Sequence, residues 1–123
     1  MLKVLIADDE EKICQLIIKL INWEEMGLKI AATASNGIEA LEQAKICKPE
    51  ILITDIRMPG IDGMELIRKV KEKLPDTEII IISGYRHFEY AQTAIRYGVR
   101  NYLLKRGITG YLTKDRRYLQ GEK

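Results

Sequence analysis

The segment 51-ILITDIRMPGIDG-63 decides how the rest of the chain is read. Ile51 to Thr54 run without a polar interruption apart from a β-branched threonine, the pattern of a strand covered on both faces. Asp55 then places a carboxylate at the end of the buried run, and Pro59-Gly60 marks a turn. A charge costs most in such a position unless something compensates it. The remaining sequence therefore has to supply both the cover for this strand and the company for this acid.

The cover comes from alternating periods on either side. Val4 to Ala7 reads as a first strand, and Ile13, Leu16, Ile17, Leu20 and Ile21 then recur as one face of a helix. Leu28 to Thr33 predicts a second strand, and Asn36 with Glu39 resembles a capping box opening a helix through about Ile46. Beyond the Pro-Gly turn, Asp62 and Glu65 can cap a third helix with an apolar stripe of Leu66, Ile67, Val70 and Leu74, stopped by Pro75. Four isoleucines, Ile79 to Ile82, predict another strand covered on both faces. Phe88, Ala91 and Ile95 suggest a fourth helix ended by Gly98, and Tyr102 to Leu104 a last strand. From Ile108 onward, Tyr111, Leu112 and Leu119 have helical spacing that Gly107 and Gly110 weaken.

Five βα units with continuously apolar strands imply an α/β fold: a doubly wound five-stranded parallel sheet with helices on both faces and right-handed crossovers. The flavodoxin-like order 2-1-3-4-5 fits five units and sets strands one and three side by side at the switch point, where ligands bind beyond the strands' carboxyl ends. Asp8 and Asp9 follow the first strand and Asp55 the third, so three carboxylates converge. Taken singly, Asp8 or Asp9 is as well read as a helix cap. Convergence favours a hard divalent cation, and the lack of nearby His or Cys favours Mg²⁺.

Ser83 and Lys105 follow the fourth and fifth strands on the same edge. A hydroxyl, an ammonium and a cation suit a phosphoryl group, with Asp55 as the nucleophile that forms an acyl phosphate. By themselves Ser83 reads as a turn residue, Tyr102 as core and Lys105 as a solvated lysine; their shared register raises them above that.

Length and charge exclude other classes. The 123 residues suit one domain. The net charge of +2 divides unevenly: residues 105–123 hold six Lys/Arg against two acids, leaving 14 bases against 16 acids before them. No stretch is apolar enough to span a membrane, and the strand-like MLKVLIA start is unlike a signal peptide, so a cytoplasmic protein is expected. Cys14 and Cys47 lack metal-type spacing and read as buried or half-buried thiols. No GxxxxGK[ST] occurs, which disfavours nucleotide hydrolysis. An acidic body without a recognition helix disfavours direct nucleic acid contact.

The residues 4-VLIADDE-10, 51-ILITDIRMPGIDGMELI-67, 79-IIIISGY-85 and 102-YLLK-105 resemble the receiver domain of two-component response regulators. With Trp23-Glu24 and 83-SGYRHFEYAQTAI-95, the pattern looks most like regulators carrying an AraC-type helix-turn-helix output domain. The resemblance implies that Asp55 accepts a phosphoryl group from a phosphohistidine on a sensor histidine kinase. It implies Mg²⁺ ligated by Asp9 and Asp55, by Asp8 through water, and by the backbone carbonyl of Arg57. Ser83 and Lys105 would contact the phosphoryl oxygens, and Tyr102 would be the aromatic switch that accompanies the movement of Ser83. The domain would catalyse its own phosphorylation and dephosphorylation without being a turnover enzyme. Its output domain, lying outside this chain, would control transcription, and a monomer would gain a tendency to dimerise on phosphorylation.

The expected domain core is residues 1–105, followed by an atypical basic segment, 106–123, readable as a closing helix, a linker remnant or an appended end. The family usually has a proline, joined by a cis bond, after the lysine matching Lys105; here Arg106 stands there. A cis bond before a non-proline residue costs about 3–4 kcal/mol, so either the bond is trans and the lysine sits differently, or packing holds the strain. Three rival functions share parts of the pattern. A phosphorylation-inert interaction module draws on Arg106. A flavodoxin-like flavin carrier lacks its phosphate loop, since Asp8-Asp9-Glu10 stands there. An aspartate-nucleophile phosphatase wants a DxD pattern after the first strand, where this chain has adjacent acids.

Overall fold

The computed structural model describes residues 1–56, 58–83, 96, 98–99 and 101–104. Strands β1 (Leu2–Ala7), β2 (Leu28–Ala34), β3 (Ile51–Thr54), β4 (Glu78–Ser83) and β5 (Asn101–Leu104) form one sheet in the order β2-β1-β3-β4-β5, every pair parallel. Helices α1 (Glu11–Leu20), α2 (Gly37–Cys47) and α3 (Gly63–Lys73) fill the first three crossovers, with a 3₁₀ turn at Glu24–Met26. This is the α/β architecture and strand order expected from the alternation of apolar runs.

The sheet sorts its side chains by alternation, as a pleated strand must. Val4, Ile6, Ile51, Ile53, Ile80 and Ile82 join Cys14 and Ile17 of α1 in one core cluster. Leu5, Ala7, Leu52, Ile79 and Ile81 join Ala40 and Ala44 of α2 and Leu66, Ile67 and Val70 of α3 in the other. The four isoleucines of β4 are each at most 1% exposed, two to a face. Full burial of such a side chain stabilises the fold by about 1.5–3 kcal/mol, so this one strand fastens both layers.

The edge strand β2 departs from simple alternation. Val4 pairs with Ile30 but Leu5 with Ala32, so Ala31 is an extra, exposed residue in β2. Because one added residue reverses the facing of everything beyond it, Leu28 and Ile30 pack toward the α1 side while Ala32 and Ala34 pack toward the α2 side. A segment that reads as one strand with one apolar face thus serves two.

Helix limits follow the capping chemistry. The Asn36 side chain accepts from the Glu39 N–H at 2.8 Å and the Asp62 side chain from the Glu65 N–H at 2.9 Å, as the two cap signatures predict. The reciprocal halves differ: Glu39 accepts from the Ser35 hydroxyl, and Glu65 pairs with Arg68. Two details of the expected α1 face are corrected. Leu16 is 40% exposed, because Cys14 and Ile17 take the inward positions, and Ile21 lies beyond the helix in extended backbone while still reaching the core. The fourth helix expected over Phe88, Ala91 and Ile95, and the tail from Ile108, lie outside the described residues.

Candidate functional site

The first and third strands deliver their acids to the same edge. The Ala7–Thr54 pair closes the β1–β3 ladder, and the Asp55 N–H continues it by donating to the Ala7 carbonyl at 3.0 Å. On the other flank the Asp8 N–H donates to the Ala34 carbonyl at 3.0 Å. The backbones that carry Asp8 and Asp55 are therefore fixed by sheet hydrogen bonds up to the residue where the carboxylates begin.

Asp8, Asp9, Glu10 and Asp55 each present a carboxylate oxygen, all within 4.8 Å of one another. Asp8 and Asp55 are 3% and 4% exposed, while Asp9 and Glu10 reach solvent. One Asp8 oxygen accepts from the Glu10 N–H at 2.8 Å, and one Asp55 oxygen accepts from the Ile56 N–H at 2.7 Å. These bonds orient both buried carboxylates. The Asp8 carbonyl also accepts from the Cys14 thiol at 3.8 Å, so α1 touches the backbone of the site.

The donor set is made of hard oxygens alone, the chemistry of a small divalent cation rather than of a soft transition metal. Concentrated negative charge of this kind is offset by such an ion, and two buried acids beside two exposed ones leave a solvent-facing side for water ligands. The residues present fit a cation of the Mg²⁺ type. Glu10 is a fourth acid beside the three that the strand ends bring together. The turn in which its backbone N–H donates to the Asp8 carboxylate brings it in, and its sequence signal is the run Asp8-Asp9-Glu10.

The loop after β3 is held closely. The Gly63 N–H donates to the Ile56 carbonyl at 2.5 Å, the Gly37 N–H to the Pro59 carbonyl at 3.2 Å, and Gly60 adopts φ +85°, a backbone that favours glycine. A side chain at Gly63 would run into the Asp55 carbonyl oxygen and stand 2.7 Å from the Ile56 Cα, so α3 starts directly against the acid's own backbone.

Of the other expected site residues, Ser83 closes β4 as its last residue and pairs with Leu104, the last residue of β5. Tyr102 pairs with Ile81 in the middle of β5. Arg57 and Lys105 lie outside the described residues, as does the Lys105–Arg106 bond.

A parallel sheet of this order, with an acidic cluster beyond the carboxyl ends of its two central strands, defines a flavodoxin-like α/β domain built to bind at its switch point. Residues 4–115 match the response regulator receiver domain family, and the chain belongs to that family. It is 47% identical over 105 residues to the uncharacterized transcriptional regulatory protein YesN of Bacillus subtilis, covering 85% of this chain and 28% of that protein. It is 40% identical over 105 residues to the transcriptional regulatory protein HptR of Staphylococcus aureus, covering 85% of this chain and 41% of that one. The REC domain of AraT, a response regulator from Geobacillus stearothermophilus, superposes with a TM-score of 0.80 at 39% identity, over 97% of this chain and 98% of that domain. The chain thus spans well under half the length of the two transcriptional regulators it matches. Among the described residues, no helix is long and apolar enough to cross a membrane.

Proposed function

We propose that this receiver domain accepts a phosphoryl group on Asp55 from a sensor histidine kinase and passes the change to a DNA-binding output domain of the AraC type, in the cytoplasm. The observation that carries the reading is the buried Asp55 carboxylate at the end of a central strand, grouped with Asp8, Asp9 and Glu10 within 4.8 Å. Transcriptional regulators among its relatives support the kind of output.

In the transfer, an Asp55 oxygen forms a bond to phosphorus as the phosphorus–nitrogen bond to the donor histidine breaks. The imidazole keeps the electron pair and takes a proton, and Asp55 becomes an acyl phosphate. The Ile56 N–H, donating to one Asp55 carboxylate oxygen, orients the group for the attack. Asp8, Asp9, Asp55 and the Arg57 carbonyl would hold Mg²⁺, with Asp8 acting through water and Glu10 at the exposed rim. Mg²⁺, when bound, offsets the charge of the acids and of the phosphoryl oxygens. Ser83 and Lys105 would bind those oxygens, and Tyr102 would move with Ser83 as the domain shifts population. Water later cleaves the acyl phosphate, so the domain resets itself. Residues 1–105 would form the core, with 106–123 an atypical basic segment that closes it as a helix or follows it as a linker remnant or an appended end.

The test is intact-mass spectrometry after incubation with Mg²⁺ and acetyl phosphate, for the wild type, Asp55→Asn and an EDTA control. One metal-dependent phosphoryl adduct, lost in the variant, is expected. An unmodified wild type would establish an inert interaction module instead.

A further inference from the structure

Resting on the assignment of Asp55 as phosphoacceptor, we propose that Gly37 is a positioning residue for the reaction: the first residue of α2 grips the loop that leads away from Asp55.

The grip has three parts. The Gly37 N–H donates to the Pro59 carbonyl at 3.2 Å. A Cβ placed on Gly37 would collide with the Ile61 carbonyl oxygen and stand 2.8 Å from its carbonyl carbon and 2.6 Å from Ile61 Cγ1. Two of those three atoms are backbone and cannot rotate away. Ile38, the next residue of α2, lays Cγ1 and Cδ1 each 3.0 Å from where a Gly60 Cβ would be, and Gly60 holds φ +85°.

The far end of the loop is gripped as well, since Gly63 bonds to Ile56 and presses on the Asp55 carbonyl. Gly37 and Gly63 thus hold residues 58–62 from both sides, and α2 is anchored by Ala40 and Ala44 packed in the core and by the Asn36 cap at its start. A methyl group at position 37 therefore displaces residues 59–61, and the displacement reaches the backbone around Asp55. Small misplacements of reacting groups cost large factors in rate.

The experiment compares Gly37→Ala with Gly27→Ala. Gly27 sits at φ +74° with nothing within 4 Å of its Cβ position, so its substitution strains the backbone without touching the loop. Two quantities are read: the rate of adduct formation with acetyl phosphate and Mg²⁺, and hydrogen–deuterium exchange of the peptide holding residues 56–63. Gly37→Ala is expected to slow phosphorylation about tenfold and to speed exchange in that peptide, while Gly27→Ala lowers Tm and leaves both near wild type. Gly37→Ala reacting at the wild-type rate, or both variants slowing in proportion to lost stability, would overturn the proposal. Should Gly37→Ala not fold, Ile38→Ala takes its place, because Ile38 is half exposed; faster exchange in the same peptide with a slower reaction supports the grip, and unchanged values overturn it. A wild type that takes no phosphoryl group removes the Asp55 assignment and this inference together. An active wild type beside an unaffected Gly37→Ala removes this inference alone.

Discussion

Asp8 and Asp55 come from positions 47 residues apart, yet the backbone one residue before Asp8 accepts the Asp55 N–H at 3.0 Å, and both carboxylates are buried in one cluster. Holding like charges this close is unfavourable in itself and becomes favourable when a cation joins them.

Mg²⁺ is therefore expected to stabilise the fold. At a concentration ten times its dissociation constant the gain is about 1.4 kcal/mol, read as a rise in Tm. Asp8→Asn keeps an acceptor for the Glu10 N–H while removing a charge, so it is expected to raise the Tm of the metal-free protein and to flatten its Mg²⁺ dependence. A full Mg²⁺ response in Asp8→Asn would place the ion elsewhere.

The helix caps give a second test. Asn36→Ala and Asp62→Ala each remove one side-chain acceptor from an N-terminal amide, at 2.8 and 2.9 Å, and each is expected to cost about 1 kcal/mol in urea unfolding. No measurable change in either midpoint would mean that the cap bond is not formed in solution.

Core truncation should cost more. Ile80 is fully buried in the layer under α1, and Ile80→Ala is expected to lose about 2–5 kcal/mol. Ile46→Ala, at a position 75% exposed on α2, is expected to stay within about 0.5 kcal/mol of wild type. Denaturant midpoints for the pair check the contrast.

Glu65 supplies a pH dependence. Its hydrogen bond to Arg68, aided by the charges of Arg68 and Lys69, lowers its carboxyl below the ordinary 4.5. A carboxyl depressed by folding adds stability that is present above its unfolded value and lost as pH falls through the folded one. Glu65→Gln is thus expected to be less stable than wild type at neutral pH, with the gap closing in acid and shrinking in salt. A gap that persists at low pH would assign the loss to packing.

The thiols should react slowly. Cys14 is 5% exposed, and burial pushes the Cys47 thiol above its ordinary value of 9.0, against the opposing charge of Lys3. Alkylation of Cys47 at neutral pH is expected to lag behind that of a free thiol and to climb only at alkaline pH.

Much of this was legible because the apolar runs are long and unbroken. Ile51–Thr54 and Ile79–Ile82 could only be strands inside a double-sided sheet, and once the strand order followed, Asp8, Asp9 and Asp55 had to meet. The caps at Asn36 and Asp62 were legible for an equally local reason. The sequence was silent where position depends on neighbours far along the chain. Leu16 has helical spacing but faces outward because the rotation of α1 is set by Cys14 and Ile17 against the sheet. Glu10 joins the acids at a local turn, where its backbone N–H donates to the Asp8 carboxylate. The contact of Gly37 with Ile61 links two segments that no periodicity connects.

The extra residue in β2 gives that strand an unusual tolerance. With Ala31 removed, Ile30 and Ala32 become adjacent and keep their partners Val4 and Leu5, so each half of the strand keeps its own side of the sheet. The strand can lose a residue here without turning inside out, and Ala34, whose carbonyl holds Asp8, stays in register. A length change inside a strand, ordinarily ruinous, is at this position insulated from the site.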